Sequence, residues 1–230
     1  MSPTRAERRA DVERRILQIA RAHLAQEGAA RLSLRAVTRE LGMVSSAVYR
    51  YVADRDELLT LLVVDGYTDL ADAVDAAVEA AAEQPWHERI VAGALAFRAW
   101  AVADPARYAL LYGSPVPGYQ APGERTIGPG TRVQTTLTRL VAEGVAAGEV
   151  AEVPGHRGLD PRLDAPLAAA AAELGLPAGP AVMAAVVGLW SVVVGGTSLE
   201  VFGQYGPDGL GAPDALFEHQ VRAGVDALRA

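Results

Sequence analysis

The sequence predicts an all-α protein: an N-terminal three-helix helix-turn-helix domain, then a larger helical domain. Three observations carry this prediction. Apolar residues recur at helical spacing in most segments between breakers. No segment alternates in the manner of a half-buried strand. Gly and Pro cluster at 113–130 and 148–166, between the periodic segments, and read as loops. The expected division is 1–56 for the first domain and 57–230 for the second.

The elements follow in order. Val12, Ile16, Ile19, Ala20, His23 and Leu24 form one apolar helix face, and Gly28 is its terminator. Ser33 stands where an N-cap belongs. Leu34, Val37 and Leu41 make a short second stripe that Gly42 ends. A third short helix fits 44–52, with Val44, Val48, Tyr51 and Val52 toward the core. Asp54 and Glu57 form a capping-box pattern for a long fourth helix reaching toward Glu83, and Pro85 stops it. Helices are then expected at 87–102, 105–111, 132–147, 167–174, about 181–203 and 214–228, with a turn at 207–213.

The composition is globular: 230 residues, half of them hydrophobic and 21% charged. Cysteine is absent, which excludes disulfides, Cys-ligated metals and a thiol nucleophile. The first fifteen residues are mostly polar and read as no secretory signal. The net charge is −7, unevenly placed. Residues 1–53 hold ten Arg against five acids, so a basic end sits on an acidic body. That pattern suits a module that meets an anion, and equally an arginine-rich helix surface. Ala181–Leu199 is long and apolar enough to span a membrane. Its Pro and Gly flanks, and the lack of nearby Arg, favour a core or interface helix instead.

The third helix divides by geometry. Its apolar side faces the core, which leaves Ser45, Ser46, Tyr49 and Arg50 together on the other face. Such a face fits a major groove, where Arg bonds guanine and Ser bonds base edges or phosphate. Ser33, Arg35 and Arg55, at the starts of the second and fourth helices, are candidate phosphate contacts. Arg5, Arg8 and Arg9 are expected to precede the first helix, as a solvated terminus or a minor-groove arm.

These residues resemble a known family. Ile16-Leu17, Ala20, Gly28, Ser33-Leu34-Arg35-Ala36-Val37, Glu40-Leu41-Gly42, Ala47-Val48-Tyr49-Arg50-Tyr51-Val52 and Arg55-Asp56-Glu57-Leu58-Leu59 are similar, over roughly 10–62, to the DNA-binding domain of TetR-family bacterial repressors. The resemblance implies that Ser33, Tyr49 and Arg55 touch phosphates and that Ser45 and Ser46 enter the groove. Val44 replaces the family's usual capping Ser, and Val52 its usual Phe. Phe97-Arg98-Ala99-Trp100-Ala101, Pro105–Gly113, Pro117-Gly118-Tyr119, Leu189-Trp190 and Ser198–Gly203 resemble the C-terminal domain of the WHG-type TetR subgroup. This implies a helical ligand-binding and dimerisation domain.

In that domain Gly188, Gly195 and Gly196 favour close helix packing. Helices near 181–203 and 214–228 are expected to pair with their copies as a four-helix interface. Trp100, Tyr108, Tyr112, Tyr119 and Trp190 line an effector cavity or belong to the core. Arg98, Arg107 and Glu200 anchor a polar ligand or pair with one another.

Nothing in the sequence has the makings of an enzyme. His23, His87, His156 and His219 lack metal-ligand spacing, and His23 is expected to pack in the core. No phosphate loop or nucleophile elbow occurs. The stripe Asp65, Asp69, Asp72, Asp75, Glu79 and Glu83 reads as a solvated helix face. No cofactor, metal or membrane partner is expected. The resulting expectation is a cytoplasmic, homodimeric, ligand-responsive repressor of a palindromic double-stranded DNA operator. The rival is a helical small-molecule-binding or interaction protein that has lost DNA binding.

Overall fold

The computed structural model describes residues 4–151, 158–206 and 210–229, with the backbone alone at Arg5, Ser45 and Ser46. His156 lies outside the described residues, as does part of the expected turn at 207–213. Ten α-helices are described, in the order α1 (Arg5–Glu27), α2 (Leu34–Leu41), α3 (Ser45–Val48), α4 (Arg55–Ala80), α5 (Trp86–Ala103), α6 (Pro105–Tyr112), α7 (Gly123–Ala146), α8 (Asp164–Glu173), α9 (Pro180–Val201) and α10 (Pro213–Asp226). Among the described residues the β-pairing is one isolated bridge, Val150 to Arg229. The chain divides into two compact units, 1–69 with 104–130 and 70–103 with 131–230.

The first unit is built on caps and one aliphatic core. Thr4 caps α1 in a reciprocal box: its hydroxyl accepts from the Glu7 amide, and the Glu7 carboxylate accepts from the Thr4 amide. Arg8 and Arg9 therefore lie on a helix, which corrects the expectation of a loose terminus. Gly42 closes α2 at φ 69°, a left-handed turn that glycine adopts without strain. Asp54 accepts the Glu57 amide at 2.8 Å and starts α4. Glu57 does not reach back; its carboxylate takes Arg125 Nη1 at 2.6 Å. Ile16, Ala20, Leu24, Leu34, Val37, Leu41, Val48, Val52, Leu58 and Leu62 are all buried together.

α7 begins earlier than its composition suggests. Residues 123–130 carry three Gly and Pro129, yet they are helical. Gly and Pro cost about 1 and 3 kcal/mol in a helix interior. Tertiary contacts offset this: Arg125 pairs with Glu57, and the Tyr67 ring lies 3.3 Å from where a Gly130 Cβ would stand.

In the second unit α9 packs against α5, α8 and α10. Its buried stripe is Val182, Met183, Val186, Leu189, Val193, Gly196 and Thr197. The helix is 22 residues long and apolar enough to cross a membrane by length and composition. Here one face is packed into a helical bundle. The other exposes Val187 and Leu199. Gly196 lies under Phe217, whose ring is 3.1 Å from a would-be Cβ, whereas Gly188 and Gly195 meet nothing within 4 Å. Of the three glycines expected at a close packing, one is therefore used within the chain.

Candidate nucleic-acid interface

The reading end of the first unit grows from its core outward. Val48 and Val52 are almost fully buried. They fix a short helix whose last turn closes through Tyr51 N–H to Val48 O at 2.8 Å and Val52 N–H to Val48 O at 3.1 Å. That anchorage leaves Tyr49 47% exposed, with Arg50 exposed beside it. Ser45 and Ser46 form the first two helical residues. Val44 departs from expectation. It precedes the helix, its carbonyl accepts the Ala47 amide at 2.9 Å, and its side chain is 73% exposed. Lying before the first turn, it is out of phase with Val48 and cannot join the core.

Ser33 caps α2, its hydroxyl accepting from the Ala36 amide at 3.4 Å, and Arg35 in the first turn is exposed. Arg55 has a task that sequence reading missed. Its Nε donates to Leu32 O at 3.1 Å, and its Nη2 to Ala29 O at 2.9 Å and Ala30 O at 3.1 Å. It braces the carbonyls of the α1–α2 connection. Nη1 faces Asp56 at 3.7 Å. The signal for this brace, a cation at a helix start near a glycine-ended turn, is too common to be read from sequence.

His23 is mostly buried, as expected of a core residue, but its Nε2 also meets the Glu40 carboxylate at 2.7 Å.

Four residues of the acidic stripe, Asp65, Asp69, Asp72 and Asp75, have arginine partners, while Glu79 and Glu83 are exposed as expected. Arg107 Nη1 donates to Asp69 at 2.7 Å and its Nη2 to Asp65 at 3.2 Å, while Arg21 Nε reaches Asp65 at 2.8 Å. In the second unit Arg132 takes Asp72 at 2.7 Å and Asp75 at 2.9 Å. The spacing showed the carboxylates; their arginines come from other helices. Among the described residues no cluster could hold a metal.

The five aromatics divide between the units. Tyr108 is fully buried and stacks on Tyr112 at 5.1 Å, and Tyr67 meets Tyr112 edge-on. Burial raises the Tyr112 hydroxyl well above the usual tyrosine range, and raises Tyr67 less. The Tyr119 hydroxyl lies 3.0 Å from Thr60 Oγ1. These three belong to the first unit. Trp100 and Trp190 belong to the second, where Trp190 sits edge-on to Phe97 at 5.7 Å. Arg98 and Glu200 pair with each other, Nε to carboxylate at 2.6 Å. Arg107 is committed to α4.

A buried aliphatic plug, a glycine turn and an exposed Tyr–Arg pair define a helix-turn-helix unit, joined here to a second all-helical unit. Comparison with known proteins gives the class a family. Residues 16–62 match the profile described as bacterial regulatory proteins, tetR family, and residues 90–224 match the tetracyclin repressor-like C-terminal domain. HTH-type transcriptional regulators of Mycobacterium tuberculosis and Mycobacterium bovis are 47% identical over 228 residues, covering 97% of this chain and 95% of theirs. A regulatory protein of known crystal structure is 32% identical over 97% of this chain and all of its own, with TM-score 0.76. The chain belongs to the TetR family of transcriptional regulators. It is a DNA-binding protein and not an enzyme, and the rival without DNA binding is set aside. The fold also recurs in RolR, crystallised with resorcinol, at TM-score 0.53 and 13% identity over 97% of this chain and 95% of that one.

Proposed function

We propose that the protein is a cytoplasmic, homodimeric, ligand-responsive repressor that releases a palindromic operator when a small effector binds. The observation that carries the operator reading is the exposure of Tyr49 and Arg50 on a base fixed by Val48 and Val52. Residues 1–56 form the DNA-binding domain in this reading, and 57–230 the effector and dimerisation domain. Arg50, Ser45 and Ser46 read the groove. Ser33, Arg35, Tyr49 and the Nη1 of Arg55 hold phosphates.

Dimerisation falls to α9 and α10. A hollow between them is lined by Ser191, Gly195, Leu199, His219 and Ala223, and Gly188 and Gly195 leave open space for a second helix. The Leu189-Trp190 and Ser198–Gly203 segments support a WHG-type C-terminal domain. The effector contacts proposed are Trp100, Tyr108, Tyr112, Tyr119 and Trp190. Trp190 has the clearest support: with Leu137, Val141, Val186 and Leu189 it lines an apolar slot that also holds Gln134 and Thr138. Thr138 Oγ1 is buried and has no hydrogen-bond partner among the described residues. Among the described residues no charged side chain lines the slot; at about 10 Å³ it has room for about one water, so in this reading its walls part to admit an uncharged, mainly apolar effector that hydrogen-bonds Thr138 and Gln134. That RolR holds resorcinol supports a ligand of such a kind.

The test is operator affinity of Arg50→Ala and Tyr49→Ala on the selected DNA site. Loss of a groove contact costs about 1–3 kcal/mol, so Arg50→Ala should weaken specific binding roughly 10- to 100-fold. Unchanged affinity in both variants contradicts the assigned reading face.

A further inference from the structure

Beside the reading helix lies a hollow of about 440 Å³ lined by Arg8, Arg9, Arg50 and Tyr51. Its arginines come from two separate elements, the start of α1 and the turn after α3. Arg9 is held in place: its Nε donates to Glu13 at 2.8 Å, and its guanidinium carbon lies 5.5 Å above the Tyr51 ring. Arg8 and Arg50 have no acidic partner among the described residues. Three guanidiniums around one hollow, offset by one carboxylate, leave a net positive charge that repels itself until an anion enters. The Thr4–Glu7 capping box keeps Arg8 and Arg9 on a helical turn rather than on a loose arm.

We propose that this hollow seats a backbone phosphate of duplex DNA, with Arg8 and Arg9 as ligands outside the reading helix. The inference deepens the operator reading and rests on it. Arg8 and Arg9 lie upstream of residues 16–62, the segment that matches the family's DNA-binding profile, so the shared domain does not supply them. A phosphodiester suits the hollow better than a base edge. Planar guanidiniums match phosphate oxygens in pairs. Among the described lining residues none is an amide or small hydroxyl side chain that would read a base. The contact would position the protein on DNA without reading sequence.

The experiment compares the full-length wild type, Arg8→Gln/Arg9→Gln and Arg8→Lys/Arg9→Lys, with helicity checked by circular dichroism. Affinity is measured on the selected operator and on random duplex across salt. Each lost phosphate contact lowers the slope of log K against log salt by about 0.9, so the double Gln variant, which loses the one phosphate of this hollow, should lose roughly 0.9. Its affinity gap to wild type should narrow roughly 3- to 4-fold between about 50 and 200 mM salt. The loss should be equal on both DNAs, and the Lys variant should recover most of the slope. A Gln variant with the wild-type slope overturns the proposal while leaving the operator reading intact. Equal loss in the Lys variant also overturns it, since that marks a structural role. A wild type that binds no duplex at all defeats the operator reading itself, and this inference with it.

Discussion

Helix α4 carries one charge device twice, in two settings. Along residues 55–69, in the first unit, Asp65 and Asp69 face Arg107, whose side chain is 7% exposed. Along residues 70–80, in the second unit, Asp72 and Asp75 face Arg132, whose side chain is 41% exposed. In both, one guanidinium spans two carboxylates of α4; in the first, Arg21 also takes Asp65 and Asp104 stands 3.8 Å from Arg107. The dielectric differs, and with it the consequence of breaking the pair. Losing the buried Arg107 leaves Asp65, which water reaches poorly, with Arg21 alone. An exposed pair leaves two charges that water accepts. The helix is thus held tightly along its first stretch and lightly along its second.

Three measurements break or sharpen this contrast. The largest effect is expected from Arg107→Met. It removes one of the two arginines on Asp65, leaving Arg21, and the hydrogen bond to Asp69, and should lower stability by about 2 kcal/mol in urea unfolding. Arg132→Ala should cost below about 1 kcal/mol, because exposed pairs contribute little. Salt separates the two further. Near 1 M, where the screening length is about 3 Å, the Arg132→Ala deficit should vanish and the Arg107→Met deficit should remain. A larger loss in Arg132→Ala than in Arg107→Met would reverse the account.

The smallest effect concerns a third pair, outside α4. A hydrogen bond from Arg222 holds the Glu88 carboxyl below the usual carboxylate range, against a smaller opposing effect of burial. A depressed folded value means the contribution is present above the unfolded value, about 4.3, and is lost as pH falls through the folded one. Glu88→Gln should therefore match wild type in acid and be slightly less stable at neutral pH. The check is the urea midpoint across pH 3 to 7, roughly the window in which an exposed carboxylate titrates.

Much of the fold was legible because its signals are local. Asp54 and Asp104 cap the helices they precede, each accepting a backbone amide three residues on, and Gly42 makes the turn. Pro105, Pro180 and Pro213 stand in the first turns of their helices, where the missing amide costs nothing. What escaped was set by distant residues. The first turns of α7 form against their own composition because Glu57 and Tyr67 support them. The aspartates of the acidic stripe looked solvated because Arg21, Arg107 and Arg132 lie 38 to 60 positions away on other helices; the spacing of the acids cannot reveal them. Val44 fell outside the expected core because α3 begins one residue later than its apolar pattern implied. On the candidate site, Tyr49 and Arg50 stand exposed where the helical pattern put them. The five aromatics were grouped by type alone, and type does not say which unit a side chain joins.

The most direct test of the central claim is selection of binding sites from random duplex DNA by the wild-type protein, followed by affinity of the enriched site against salt. The account predicts a two-fold symmetric site with half-sites about one helical turn apart or a multiple of it, bound specifically and with a steep salt slope. Enrichment of no common site, or binding that is flat in salt, would contradict it.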